Sequence, residues 1–247
     1  MTPVRRIAVG VAAALAVTLV PAHAGSAAAG DPDFHKPTVG DCHDYTLVEM
    51  YADTDTTPAV ACTESHTGKV IRVAMLPDRI AWSQRGRVYD FMDTKCVPAR
   101  DEWLGRSVLK QSLTAYGMSY FIPTGAERNR GARWVRCDVF LWRGSELSPL
   151  PYDEAPLIPR PLDDTVRRCL EPRTGYVTTC DDRHAWKAAG DFFIHQQRYP
   201  AKRAMVRLGQ RRCPALVSTD RYRFTWPSKA AWAWGSRIGI CFSKTRS

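Results

Sequence analysis

The chain has 247 residues, 35 Lys+Arg against 25 Asp+Glu, 45% hydrophobic residues and 8 Cys. That balance excludes wholesale disorder. No apolar run reaches the about 18–20 residues of a membrane span, which excludes a multi-pass membrane protein, and the length allows one or two domains.

In chain order, Arg5 and Arg6 precede an uncharged run from Ile7 to Val20, followed by Pro21 and Ala22-His23-Ala24. A positive start, a short apolar stretch, a helix breaker and an A-x-A site predict a secretory signal peptide over 1–24. Cleavage after Ala29 and an uncleaved anchor are the competing readings. The next region, 36–143, predicts strands at Ala59–Cys62 and Lys69–Leu76. A helix is expected at Arg85–Cys96, from the helical spacing of Val88, Phe91, Met92 and Cys96, and further strands at Met118–Ile122 and Trp134–Trp142. Residues 144–164 hold Pro149, Pro151, Pro156, Pro159 and Pro161 without apolar periodicity and are expected to form a semi-extended linker. The region 165–247 repeats the order: strands at Tyr176–Cys180 and Ala188–Ile194, a helix at Ala201–Arg212, strands at Tyr222–Trp226 and Arg237–Phe242.

The cysteines are Cys42, Cys62, Cys96, Cys137, Cys169, Cys180, Cys213 and Cys241. An even number in an exported chain predicts disulfides. Zinc is the competing reading, but no C-x2-C pair exists. Two windows align without gaps: Pro123, Ala126, Gly131, Arg133 and Cys137 match Pro227, Ala230, Gly235, Arg237 and Cys241. Likewise Cys62, His66 and Lys69 match Cys180, His184 and Lys187. The same motifs in the same order predict a duplicated unit. The expected fold is therefore α+β: two tandem copies of a small disulfide-stapled module, each a short antiparallel sheet with one packed helix. Four Cys per copy leave three pairings in each. The favoured one is first with second and third with fourth, so that the later bond pins the helix end to the last strand.

Val39-Gly40-Asp41-Cys42, Cys62-x3-His66, Cys96 and Pro123…Gly131-x-Arg133-x3-Cys137 resemble the septum-formation domain family of actinobacterial envelope proteins. The second copy keeps Cys180-x3-His184 and Pro227…Trp232…Gly235-x-Arg237-x3-Cys241 but lacks the Gly-Asp before Cys169. The family often carries an acidic residue three after the His, where this chain has Lys69 and Lys187. The resemblance implies an envelope location and a fold, and no enzymatic activity.

Paired cysteines leave no thiolate nucleophile for a Cys-His hydrolase. His66 and His184 are expected to bond turn backbone rather than to shuttle protons or bind metal. His43 could approach His66 across a Cys42–Cys62 bond, and His195 is the other His of the second copy. Asp53, Asp55, Asp181 and Asp182 form loose, turn-like clusters. Trp232 and Trp234 are read as packing residues in preference to a sugar platform. No cofactor or metal is expected. Charge is the strongest clue: 165–247 carries 17 Lys+Arg and 5 Asp+Glu, a net of +12. Arg198, Lys202, Arg203, Arg207, Arg211 and Arg212 lie on one segment, and i, i+4 steps would place several of them on one side of the predicted helix. They are the candidate anion-binding residues. The expected partner is an anionic cell-envelope polymer or an envelope protein, not nucleic acid, with membrane contact peripheral at most. The function expected is a non-enzymatic envelope-associated binding protein. The alternative is a secreted wall hydrolase using His and carboxylate groups.

Overall fold

The structure, a computed structural model, describes residues 30–151, 161–233 and 235–245. The predicted signal peptide lies outside them, as do Trp234 and the linker prolines Pro156 and Pro159. In chain order the elements are β1 (Cys42–His43), α1 (Leu47–Met50), β2 (Ala59–Val60), β3 (Gly68–Met75), α2 (Arg85–Leu104), α3 (Val108–Ser112), β4 (Tyr116–Phe121), α4 (Gly125–Asn129), β5 (Trp134–Arg143) and β6 (Glu146–Ser148). There follow β7 (Arg168–Leu170), β8 (Val177–Thr179), β9 (Trp186–Phe193), α5 (Lys202–Arg212), β10 (Tyr222–Thr225), α6 (Lys229–Ala233) and β11 (Ile238–Lys244). Among the described residues no helix is long and apolar enough to cross a membrane.

The strands form two antiparallel sheets. The first has the order β2-β1-β3-β5-β4, with β6 also on β5; the second runs β10-β11-β9-β7-β8. Read from the other edge, the second order is that of the first. The agreement extends to register. Cys42 pairs Lys69 as Cys169 pairs Lys187, and Cys137 pairs Arg72 as Cys241 pairs Gly190. A register shift falls at the same step in both, between Val70 and Arg72 opposite β5 and between Cys241 and Phe242 on β11. Such a bulge bends its strand and sharpens the local twist. Four disulfides join Cys42–Cys62, Cys96–Cys137, Cys169–Cys180 and Cys213–Cys241, and among the described residues no cysteine is free.

Helix α2 packs Val88, Met92, Cys96, Ala99 and Trp103 on one side. It continues through Pro98 to Leu104, well beyond the predicted end at Cys96. A mid-helix proline costs about 3 kcal/mol. Burial of Trp103 and Leu104 offsets that, at about 1.5–3 kcal/mol for each large apolar side chain. Cys96 therefore sits inside its helix, while Cys213 directly follows α5. The expectation that the later bond pins a helix end fits the second sheet and is corrected for the first. Strand β5 is buried from Trp134 to Leu141, because α2 covers one of its faces and a cluster of Tyr45, Met50, Phe121 and Phe140 the other.

The start of the predicted linker is paired strand, while 152–160 lie outside the described residues. Glu146–Ser148 pairs with Leu141–Arg143, and Leu147 and Leu150 are buried. Two apolar side chains, three residues apart, find the first sheet's core despite the flanking prolines. The sheets are joined by more than chain: Ala115 N–H donates to the Val166 carbonyl (2.8 Å), Arg168 N–H to the Leu113 carbonyl (2.8 Å) and Gly144 N–H to the Val177 carbonyl (2.8 Å). Val166 packs with Trp103, Leu104 and Tyr116.

Candidate functional site

Helix α5 turns Met205 and Gly209 into the second core, where Cys213 is tied to β11. The opposite side is cationic. Arg203, Arg207 and Arg211 lie there, Lys202 and Arg212 flank the buried side at the helix ends, and Arg198 precedes the helix; all six are exposed, and none forms an ion pair among the described residues. Arg203, Arg207 and Arg211 follow at i, i+4 steps and make one stripe along the helix. This arrangement works against the helix in two ways. Like charges at i, i+4 repel by about 0.2–0.5 kcal/mol per pair. Lys202 and Arg203 occupy the first turn, where the helix dipole disfavours cations, and Ala201 at the N-cap supplies no side-chain bond. Only Arg211 and Arg212, in the last turn, suit the dipole. Local helix energetics do not account for so basic a face.

The predicted histidine pair behaves as a fold feature. His66 Nδ1–H donates to the Glu64 carbonyl (2.8 Å), and His184 Nδ1–H donates to the Asp182 carbonyl (2.8 Å). Each ring closes the turn after its cysteine. The His43 ring does not turn to His66. Its Nδ1–H donates to the Thr57 carbonyl (3.1 Å), and its Nε2 accepts from Arg136 (3.3 Å). That pair of bonds specifies neutral imidazole. Burial first, and then the Arg136 charge, lowers its pKa accordingly.

Around His43 lies a buried charge cluster that sequence reading missed. Arg136 and Asp138 project from the same side of β5, and both are buried. Arg136 bonds Asp55, lies 2.9 Å from Asp138 and stacks on Phe121 with 4.5 Å to the ring centre. Asp55 also accepts from Thr57 N–H (2.9 Å) and Oγ1 (2.8 Å). Burial opposes the Asp55 charge, but the Thr57 N–H and the Arg136 guanidinium outweigh it and hold its pKa low. Asp138 is the reverse case. Neither carboxylate oxygen finds hydrogen-bond geometry among the described residues, and burial pushes its pKa up to about 6 against the pull of Arg136. The signal available in sequence was an Arg and an Asp two residues apart inside an otherwise apolar strand.

The remaining candidates scatter. Asp53 accepts from Arg85 (2.5 Å) and from the Tyr89 hydroxyl (2.7 Å) at the edge of a groove beside α2. Asp182 pairs Arg143 (3.1 Å) at the junction of the sheets. Asp181 and His195 are exposed and join no cluster with the other candidates. Trp232 is buried beneath Arg237, 3.8 Å from the guanidinium to its ring centre, so it offers no sugar platform. No group of His, Cys, Asp and Glu among the described residues could hold a metal ion.

The residues that carry the family resemblance are structural. Gly40 and Gly131 have positive φ, 100° and 103°. Arg133 donates to the carbonyls of Leu76 (3.1 Å), Pro77 (2.7 Å) and Ile80 (2.8 Å), tying α4's far end to the loop before α2. Comparison with protein-family models, curated proteins and solved structures finds no match to this chain.

Proposed function

We propose that this chain is an exported, non-enzymatic envelope protein that resembles the septum-formation family and docks on an anionic wall polymer through the cationic face of α5. The observation that carries the reading is that face: Arg203, Arg207 and Arg211 in one stripe, with Lys202 and Arg212 at the helix ends and Arg198 just before it, all exposed and without ion pairs among the described residues, on a helix tied down by the Cys213–Cys241 bond. A wall polymer is a dense array of negative charge, and a patch of one sign raises both its local concentration and its encounter rate. Four disulfides fit an oxidising compartment, which agrees with export. The shared strand order, bulge and bond pattern support reading 36–143 and 165–247 as two copies of one module. No thiol nucleophile is free among the described residues, and the turn-bound His66 and His184 leave a hydrolase reading without a base aimed at a substrate.

Sedimentation of the oxidised protein with purified cell walls at low and high salt tests this. Binding that weakens with salt and releases no wall fragments is the expected result. Wall solubilisation that disappears in His66→Ala or His184→Ala would overturn it in favour of the hydrolase. Retention by anionic vesicles but not by walls would move the partner to lipid.

A further inference from the structure

A cavity of about 650 Å³ opens between the start of α2, the end of β4 and the start of α4. Its counterpart beside the second sheet is filled. Tyr120 and Phe224 hold matching places, opposite Cys137 and Cys241. Met92 and Gly209 each lie one turn before the helix cysteine. On the second sheet the Phe224 ring rests on Gly209, where an added Cβ would come within 2.3 Å of it. Trp232, nine residues before Cys241, is buried and packs edge-on against Tyr199 with 5.5 Å between centroids. Nine residues before Cys137 the first copy has Arg128 instead, and the space stays open.

The open groove has a consistent chemistry. Trp82, Tyr89 and Tyr120 supply aromatic surface. Arg128 lies 5.7 Å over the Trp82 ring, and Arg85, 66% exposed, stands at the rim. Asp53 is the acidic lining residue, and Arg85 and Tyr89 already occupy it. Mixed aromatic and polar walls match a ligand with apolar C–H faces and hydroxyl edges, and Arg128, the lining cation that Asp53 does not pair, favours one that bears a carboxylate. The size lies within the usual range for ligand sites, about 300–1,000 Å³. We propose that this groove binds an acidic sugar chain: a ring packs against the aromatic wall of Trp82, Tyr89 and Tyr120, and its carboxylate pairs with Arg128 and with the Arg85 N–H groups that Asp53 and Tyr89 leave open. The site is separate from α5 and stands or falls independently of the docking proposed for that helix.

Calorimetric titration of the oxidised full chain with tetragalacturonate, and with the neutral galactose tetramer, tests it at physiological ionic strength. The acidic tetramer should bind at least tenfold more tightly than the neutral one. Arg85→Gln, at an exposed position whose surface ion pair with Asp53 contributes little to stability, should weaken it at least fivefold with the melting temperature within a few degrees of the parent. Trp82→Ala should abolish binding while Trp82→Phe retains most of it, which separates lost stacking from lost folding. Equal affinity for both tetramers, binding of neither, or an affinity that follows Arg207→Glu but not Arg85→Gln would each overturn the proposal.

Discussion

Asp138 and Phe242 occupy one and the same place in the two sheets. Asp138 pairs Val70 and Phe242 pairs Ala188, each one residue past the bonded cysteine and beside the register shift. Two residues earlier, Arg136 pairs Val73 as Ile240 pairs Asp191, and beside them His43 on β1 answers to Leu170 on β7. Leu170, Ile240 and Phe242 belong to an apolar cluster. The fold thus accepts either a charge cluster or a hydrophobic core at this site. Ion clusters of this kind are often no more stable than apolar replacements of similar volume.

The Asp138 carboxyl makes stability depend on pH in a definite direction. Its pKa rises from the ordinary 3.8 to about 6 on folding. Its contribution is fully present below pH about 4 and is lost as pH rises through about 6, a loss of about 3 kcal/mol at most. Asp138→Asn should flatten that fall, as seen in urea unfolding between pH 4 and 7. Asp53 and Asp55, whose pKa values are lowered, act in the opposite sense below pH 4 in both proteins.

Removing one member of the cluster should cost more than removing all of it. Arg136→Met leaves Asp55 and Asp138 buried without their cation and should destabilise by about 3–5 kcal/mol. Combining His43→Leu, Asp55→Asn, Arg136→Ile and Asp138→Phe should lose less than Arg136→Met alone. Denaturant midpoints of the two proteins decide the order.

The disulfides should rank by the chain they close. Cys96–Cys137 spans 41 residues and Cys169–Cys180 spans 11. On the loop-entropy account these contribute about 4 and about 3 kcal/mol, with the other two between. Paired Cys→Ala variants, melted one bond at a time, should follow that order.

Much of this fold was legible because its signals are local. The β3, β9 and β5 strands and the α5 helix follow their apolar periods to within two residues, and the nearest-neighbour cysteine pairs are the bonds of the structure. Strands β1 and β7 were not legible, since two or three residues carry no period. Strand β6 was hidden by Pro149 and Pro151, and α2 beyond Pro98 by a rule that burial of Trp103 overrides. The cations of α5 could be found because helical spacing collects them. The cluster of His43, Asp55, Arg136 and Asp138 is drawn from three separate segments, so only the Arg-x-Asp pair on β5 pointed to it. The groove at Trp82 needed the contrast of Arg128 with Trp232, which sits in the aligned windows but has no meaning until the packing around it is known.

Wall binding by a charge-reversed helix shows whether α5 is the docking face. Arg203→Glu, Arg207→Glu and Arg211→Glu, combined, should leave the melting temperature within a few degrees of the parent, because all three side chains are exposed. The protein should then lose at least tenfold in affinity for purified walls at low salt, and its residual binding should no longer respond to salt. Undiminished, salt-sensitive binding by that variant would contradict the assignment of α5 as the docking face.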